Sequence, residues 1–243
     1  MANLLFCSFL ATTTSLVALG AADLRRVGIF VICLILAVGI HEFAHAYAAH
    51  RLGDPTPEGQ GRLTLNPVAH MDPVGTLALP LSLGLFVPGL MFGWGRPVEC
   101  QPRLFTRKIS MRAGMALVAF AGPLSNLLQA LVTLAIIFGL TQAGVLEPAA
   151  VLRGTEHPIT LFFYLNIVLF AFNLLPLHPL DGGKVLYGIM GPRYQPIDDF
   201  IAKWGMFIIL GLVLAPSLLN IDVLGALFGP LIDAGSWALR HVV

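Results

Sequence analysis

Charge is what this sequence has least of. Asp, Glu, Lys and Arg make up 11% of its 243 residues, where soluble domains average about 25%. What charge there is nearly cancels, at +1, so no acidic or basic field marks a nucleic-acid partner. Cysteine is scarce as well: Cys7, Cys33 and Cys100 are odd in number and scattered, two of them in apolar runs. That excludes a disulfide framework and the C-x-x-C or C-x-x-H spacing of a cysteine zinc site. No repeat or low-complexity segment stands out, and the apolar runs leave no room for a separate soluble domain. In excess are apolar residues, at 57%, with a mean hydropathy of +0.84. The expected solvent is a lipid bilayer, and the expected fold is an all-α polytopic membrane protein forming one domain over 1–243.

The apolar runs suggest about five to six transmembrane helices. Leu4–Gly20 is a first, marginal span, followed by a polar link with Asp23, Arg25 and Arg26. Val27–Leu52, Ala113–Gln142, Pro158–Leu180 and Phe200–Asn220 are stronger, and the apolar run Leu224–Leu239, interrupted at Gly229-Pro230, suits the membrane interface. Between them Gly53–Met71 is polar and turn-rich. Within it Arg62, Leu63, Thr64 and Leu65 alternate polar with apolar and predict a short strand in a β-hairpin-like loop. From Pro73 to about Phe92 the chain is apolar, but Pro80, Gly84, Pro88 and Gly89 break it at short intervals.

Inside Val27–Leu52 lies His41-Glu42-Phe43-Ala44-His45. Histidines four apart sit one above the other on a helix face, so both can reach one metal ion. Glu42, one step round, can address a water there rather than the metal, the H-E-x-x-H pattern of zinc hydrolases. Packing histidines are the bland alternative, but ionisable groups at bilayer depth are costly and usually functional. A catalytic zinc site needs a third protein ligand. Asp181 is the strongest candidate, ending an apolar span before Gly182-Gly183; His70, His178, Glu58 and Asp72 lie in polar loops or beside a proline.

For Asp181 to meet two histidines that lie late in their own span, the two spans must run parallel. An odd number of crossings must then lie between them, so the broken segment 73–93 dips in and returns. Residues 51–112, with Arg51, Arg62, Arg96, Arg103, Arg107, Lys108 and Arg112, become cytoplasmic as the positive-inside rule asks. Arg25 and Arg26 fall on the outer side, against that rule.

These motifs together resemble the site-2 protease family of intramembrane zinc metalloproteases. The matching residues are His41-Glu42-Phe43-Ala44-His45, Gly122-Pro123-Leu124-Ser125-Asn126, and the Asn173 to Gly183 run with its N-x-x-P-x-x-P-x-D-G spacing. Gly61–Val68 and the run from Asp72 are similar to the compact branch of that family, without PDZ or CBS domains. The resemblance covers roughly 27–190 and departs from the usual pattern at His178. It implies one zinc ion held by His41, His45 and Asp181, with Glu42 as general base. Asn173 matches a position that engages substrate or stabilises the oxyanion, and Pro179 one that shapes the site. The implied substrates are membrane proteins or signal-peptide remnants; the parallel-span topology opens the site towards the cytoplasm, and the compact, tail-poor composition suits a prokaryotic cell membrane. Such a substrate helix must be unwound first, since its amides are hidden in hydrogen bonds. The strand at Arg62–Leu65, together with the broken segment 73–93, would hold it extended by strand addition. Asn126 reads first as a packing residue. The rival function is a non-proteolytic membrane protein that binds or transports metal, for which Glu42 beside His41 has no use.

Overall fold

The computed structural model describes residues 20–86, 91–191, 194–219 and 221–243. The expected first span, residues 4–20, lies outside them but for its last residue. The described residues are all-helical: α1 is Ala21–Arg51, α2 Leu79–Phe86, α3 Met111–Gln142, α4 Pro158–Asn173, α5 Asp181–Met190, α6 Gln195–Leu219 and α7 Val223–Val242. Single helical turns fill the connections.

Each long helix has local causes. α1 runs 31 residues without a proline, with Asp23 in its first turn and His50 and Arg51 in its last, charges that suit the helix dipole. Ser110 caps α3, its hydroxyl accepting from Ala113 N at 3.2 Å. Pro123 lies inside α3. It withholds its N–H from the carbonyl four residues back and loosens that turn.

The amphipathicity of α3 is reversed relative to a helix in water. Ser125, Asn126, Gln129 and Thr133 are buried, while Leu124, Leu128, Leu131, Val132 and Ile136 are exposed. In a water-soluble protein the apolar stripe faces the core; here the polar stripe does. By length and composition α1 and α3 can cross a membrane. α4, with 16 residues, is about 24 Å long, short of the hydrocarbon thickness of about 30 Å.

α3 packs centrally, against α1, α4 and α5. Phe30, Leu34, Ala37 and Val38 of α1 meet Leu161 and Leu165 of α4. Ala130 and Ile137 of α3 join Phe163 and Ile167 of α4 and Phe228 and Ile232 of α7.

The expected strand is absent: no strand occurs among the described residues, and Arg62–Leu65 is irregular. Its alternation has no second strand to pair with, and local bonds claim its polar groups instead. The buried Arg62 guanidinium donates to Ala69 O, the His70 ring bonds Thr64 O at 2.8 Å, and Asn66 N–H donates to Thr64 Oγ1 at 3.1 Å. Neighbouring residues do make an excursion. A π-helical turn, Pro73–Ala78, is capped by the Asp72 carboxylate and leads into α2. By Trp94 the chain is back at its start: Trp94 N–H donates to Gly75 O at 3.0 Å, Arg96 N–H to His70 O at 2.8 Å, and Thr76 Oγ1 to Trp94 O at 2.7 Å.

Candidate metal centre

Helical spacing puts His41 and His45 on one face of α1, and the chain brings Asp181 to that face from far along the sequence. Asp181 does not end a helix but begins α5. A Cβ on Gly182 would lie 2.3–2.4 Å from the carbonyl oxygens of Leu174 and Leu175, so a residue without one lets the loop after α4 close against the start of α5. Asp181 Oδ2 is 3.2 Å from His41 Nε2 and 3.1 Å from His45 Nε2. The two Nε2 atoms are 3.0 Å apart, and all three side chains are buried.

The far side of each ring decides what this cluster can hold. His45 Nδ1 lies 2.7 Å from Val118 O, one residue before the carbonyl that Pro123 leaves without its helical donor. His41 Nδ1 lies 2.6 Å from Asn126 Oδ1. Both partners are acceptors, so each neutral ring carries its proton on Nδ1 and leaves Nε2 a bare lone pair. Two such nitrogens and a carboxylate oxygen repel one another at 3 Å unless a proton or a metal ion sits among them, and three ligand atoms converging on one point suit a metal ion. Two histidines and one carboxylate form a donor set of the kind found at catalytic zinc sites. Gly122 leaves the space: a Cβ there would come within 2.4 Å of His45 Nε2 and 2.7 Å of His41 Cε1. The residues therefore fit a metal ion. Among the described residues no other group of three His, Cys, Asp or Glu side chains converges this way.

Glu42 stands beside the cluster, its Oε2 accepting from Val98 N–H at 3.1 Å. Val98 belongs to the returning strap of residues 94–98, pinned to Gly75 and His70 as described. Strap and cluster share a cavity of about 560 Å³ with mostly apolar walls from α1, α4, α6 and α7. Asn173 and Pro179 line it too. Asn173 Nδ2 donates back to Leu169 O at 3.0 Å, and Pro179 follows a cis peptide bond. Arg62, Leu63, Thr64 and Leu65 do not line it.

The weaker ligand candidates are engaged elsewhere. His178 bonds Asp198 at 2.8 Å, Glu58 faces His50 at 3.4 Å, Asp72 caps its π-turn, and His70 holds Thr64 O. Cys100 reaches the cavity, but burial, helped by Asp54, pushes its thiol up to about 11, so it stays protonated at neutral pH. Two participants, the Val98 amide and Lys184, lie outside the motifs, and a third, Asn126, lies inside one with packing as its first reading and a site role as its second. The amide of Val98 is a backbone group, which no side-chain pattern reports. Lys184, with Nζ 3.7 Å from Asp181 Oδ1, was signalled by its i,i+3 spacing. Asn126, read first for packing, bonds a histidine of the cluster.

Fold and centre together define a helical metallopeptidase, and the chain belongs to peptidase family M50, the site-2 protease family, whose model matches residues 29–216. The match runs on well past residue 190, into α6. Among individual proteins the chain is 38% identical to "Putative zinc metalloprotease YwhC" of Bacillus subtilis, over 76% of this chain and 80% of that protein. It is 31% identical to "Putative zinc metalloprotease Rip2" of Mycolicibacterium smegmatis, over 82% of this chain and 74% of the other. The Rip2 of Mycobacterium tuberculosis strain H37Rv is 30% identical, over 80% and 71%. No solved structure gives a significant match.

Proposed function

We propose that this chain is an intramembrane zinc endopeptidase that cuts membrane-spanning or membrane-tethered proteins near the cytoplasmic face of a bacterial membrane. His41, His45 and Asp181 hold one zinc ion per chain, and Glu42 is the general base. The observation that carries this reading is the convergence of three buried ligand atoms, 3.0–3.2 Å apart, at the wall of an apolar cavity that Glu42 also lines.

Bound there, zinc supplies Lewis acidity to the attacking water and the scissile carbonyl. The rest is done by the chain. Glu42 takes the proton from the attacking water and returns it to the amide nitrogen as that bond breaks, base first and acid second. Val98 N–H fixes the carboxylate by one oxygen, leaving the other for the proton. Asn173, released from Leu169 O by a rotation of its side chain, donates Nδ2–H to the developing oxyanion. Apolar walls exclude bulk water, which strengthens these charge interactions.

Residues 73–86 and 91–98 belong to a re-entrant excursion in this reading, dipping into the bilayer from the cytoplasmic side. α4 and the later helices complete the five to six crossings. The irregular backbone of 91–98 is tolerated at membrane depth because it lines a cavity within the protein. An unwound substrate segment lies along this strap, rather than along Arg62–Leu65.

Replacing Glu42 with Gln tests the assignment. The variant, purified in detergent, should keep about one zinc and lose about 10²–10⁴-fold in cleavage of a single-span test substrate. Undiminished cleavage would remove Glu42 from the chemistry, and a zinc-free parent would remove the metal site itself.

A further inference from the structure

Asn126 and Asn166 are both fully buried, at 0% exposure, on neighbouring helices α3 and α4. Neither side chain has an obvious reason to be polar at that depth, where an unsatisfied amide is costly. Their bonds form one line. His41 Nδ1 lies 2.6 Å from Asn126 Oδ1, Asn126 Nδ2 donates to Asn166 Oδ1 at 2.9 Å, and Asn166 Nδ2 donates to Phe162 O at 3.0 Å.

The line has a fixed polarity, set at its far end. Phe162 O is a backbone carbonyl and can only accept, so the amide group facing it must be the nitrogen of Asn166. Its oxygen then faces Asn126 and can only accept, so Asn126 must present its nitrogen in turn. That leaves the Asn126 oxygen for His41, which must put its ring proton on Nδ1. Each amide is thereby turned the one way that satisfies its neighbour, and no step depends on the charge state of any group.

We infer that Asn126 and Asn166 form a two-amide relay, anchored on Phe162 O, that fixes the His41 tautomer and so keeps His41 Nε2 open to the metal. Both are positioning residues, and Asn166 acts only through Asn126. The inference rests on the reading of His41, His45 and Asp181 as metal ligands. With Asn166 gone, the Asn126 amide is free to turn its nitrogen to His41. The ring proton then moves to Nε2, where it blocks the metal. Partners of this kind are worth about 10–100-fold in metal affinity.

The test is zinc affinity of the full chain in detergent, by chelator competition. Asn166→Leu should bind zinc about 10-fold more weakly. Asn166→Asp, whose protonated carboxyl accepts from Asn126 and donates to Phe162 O, should stay within about threefold of the parent, well inside that range. Adding Asn166→Leu to Asn126→Leu should cost nothing more, since both break the same line; a purely structural role would add. If the parent binds zinc and Asn166→Leu binds it equally well, or the two losses add, the relay is overturned while the metal site stands. If the parent binds none, the metal-site reading falls first. Should Asn166→Leu fail to fold, the ring ¹⁵N shifts of His41 in the zinc-free parent decide the matter. A protonated Nδ1 is expected, and a proton on Nε2 alone overturns the relay.

Discussion

A methyl group at position 122 would lie 2.4 Å from His45 Nε2, inside the space a metal ion needs. Gly122→Ala should therefore lower zinc affinity by at least about 10-fold, read by metal content after dialysis, with the helices intact by circular dichroism because alanine favours a helix more than glycine does. Asp181→Ala should remove most of the zinc that the parent holds at about one per chain, since structural and catalytic zinc sites need three protein ligands or more. Full occupancy in that variant would demand a different third ligand. At this scale the chain was most legible where chemistry and spacing coincide. His41 and His45 could be paired from their separation alone. Asp181 could be chosen as a rare acid at the end of an apolar run, although the glycines after it serve close packing at a helix start and not an exit from a helix. Asn166 could not be found this way, because its partner is 40 positions distant and nothing local links them.

Among the elements, the strap of residues 94–98 has the most to lose from a small change. Thr76 is buried, and its hydroxyl bridges Trp94 O, at 2.7 Å, to Asp72 N, at 2.9 Å. Thr76→Val keeps the shape and removes both bonds. The strap would then slacken and Glu42 lose its fixed partner at Val98. Cleavage should fall by about 10–100-fold, the cost of a slight misplacement of a reacting group, while zinc content stays unchanged. Loss of zinc together with activity would instead tie the strap to the metal. The strap also explains an error at this scale. Alternation marked Arg62–Leu65 as a strand, yet alternation only reports two faces, and a strand further needs a neighbour to complete its hydrogen bonds. The segment that does bond to a neighbouring backbone lies some 30 residues later, at a Gly-Trp-Gly sequence with no periodic signal. Prolines and glycines from Pro73 onward do break the run: a π-helical turn and the eight-residue α2 stand there.

For the whole molecule, composition was informative and helix count was not. Low charge and high hydropathy anticipated a protein with an apolar exterior, and α3 shows it: polar groups inward, leucines outward. Leu131→Lys, on the exposed face of α3, would be harmless on a helix in water. In a bilayer it should cost about 2.5–3.5 kcal/mol if near mid-depth, seen as a reduced membrane-inserted fraction on alkaline extraction. Unchanged insertion would place that face out of lipid. Counting crossings from apolar runs was less secure, since a run such as Pro158–Leu180 divides into a helix ending at Asn173 and a loop. The cavity adds a matter of supply. Hydrolysis consumes one water per bond cut, and in the proposed reading the reaction is housed behind walls that repel water. An apolar substrate filling the space would sweep out all but the molecules tethered to His41, Glu42, His45 and Asp181. The reagent must therefore already be in place when the substrate arrives, and rehydration of an emptied, greasy chamber becomes a step of every turnover.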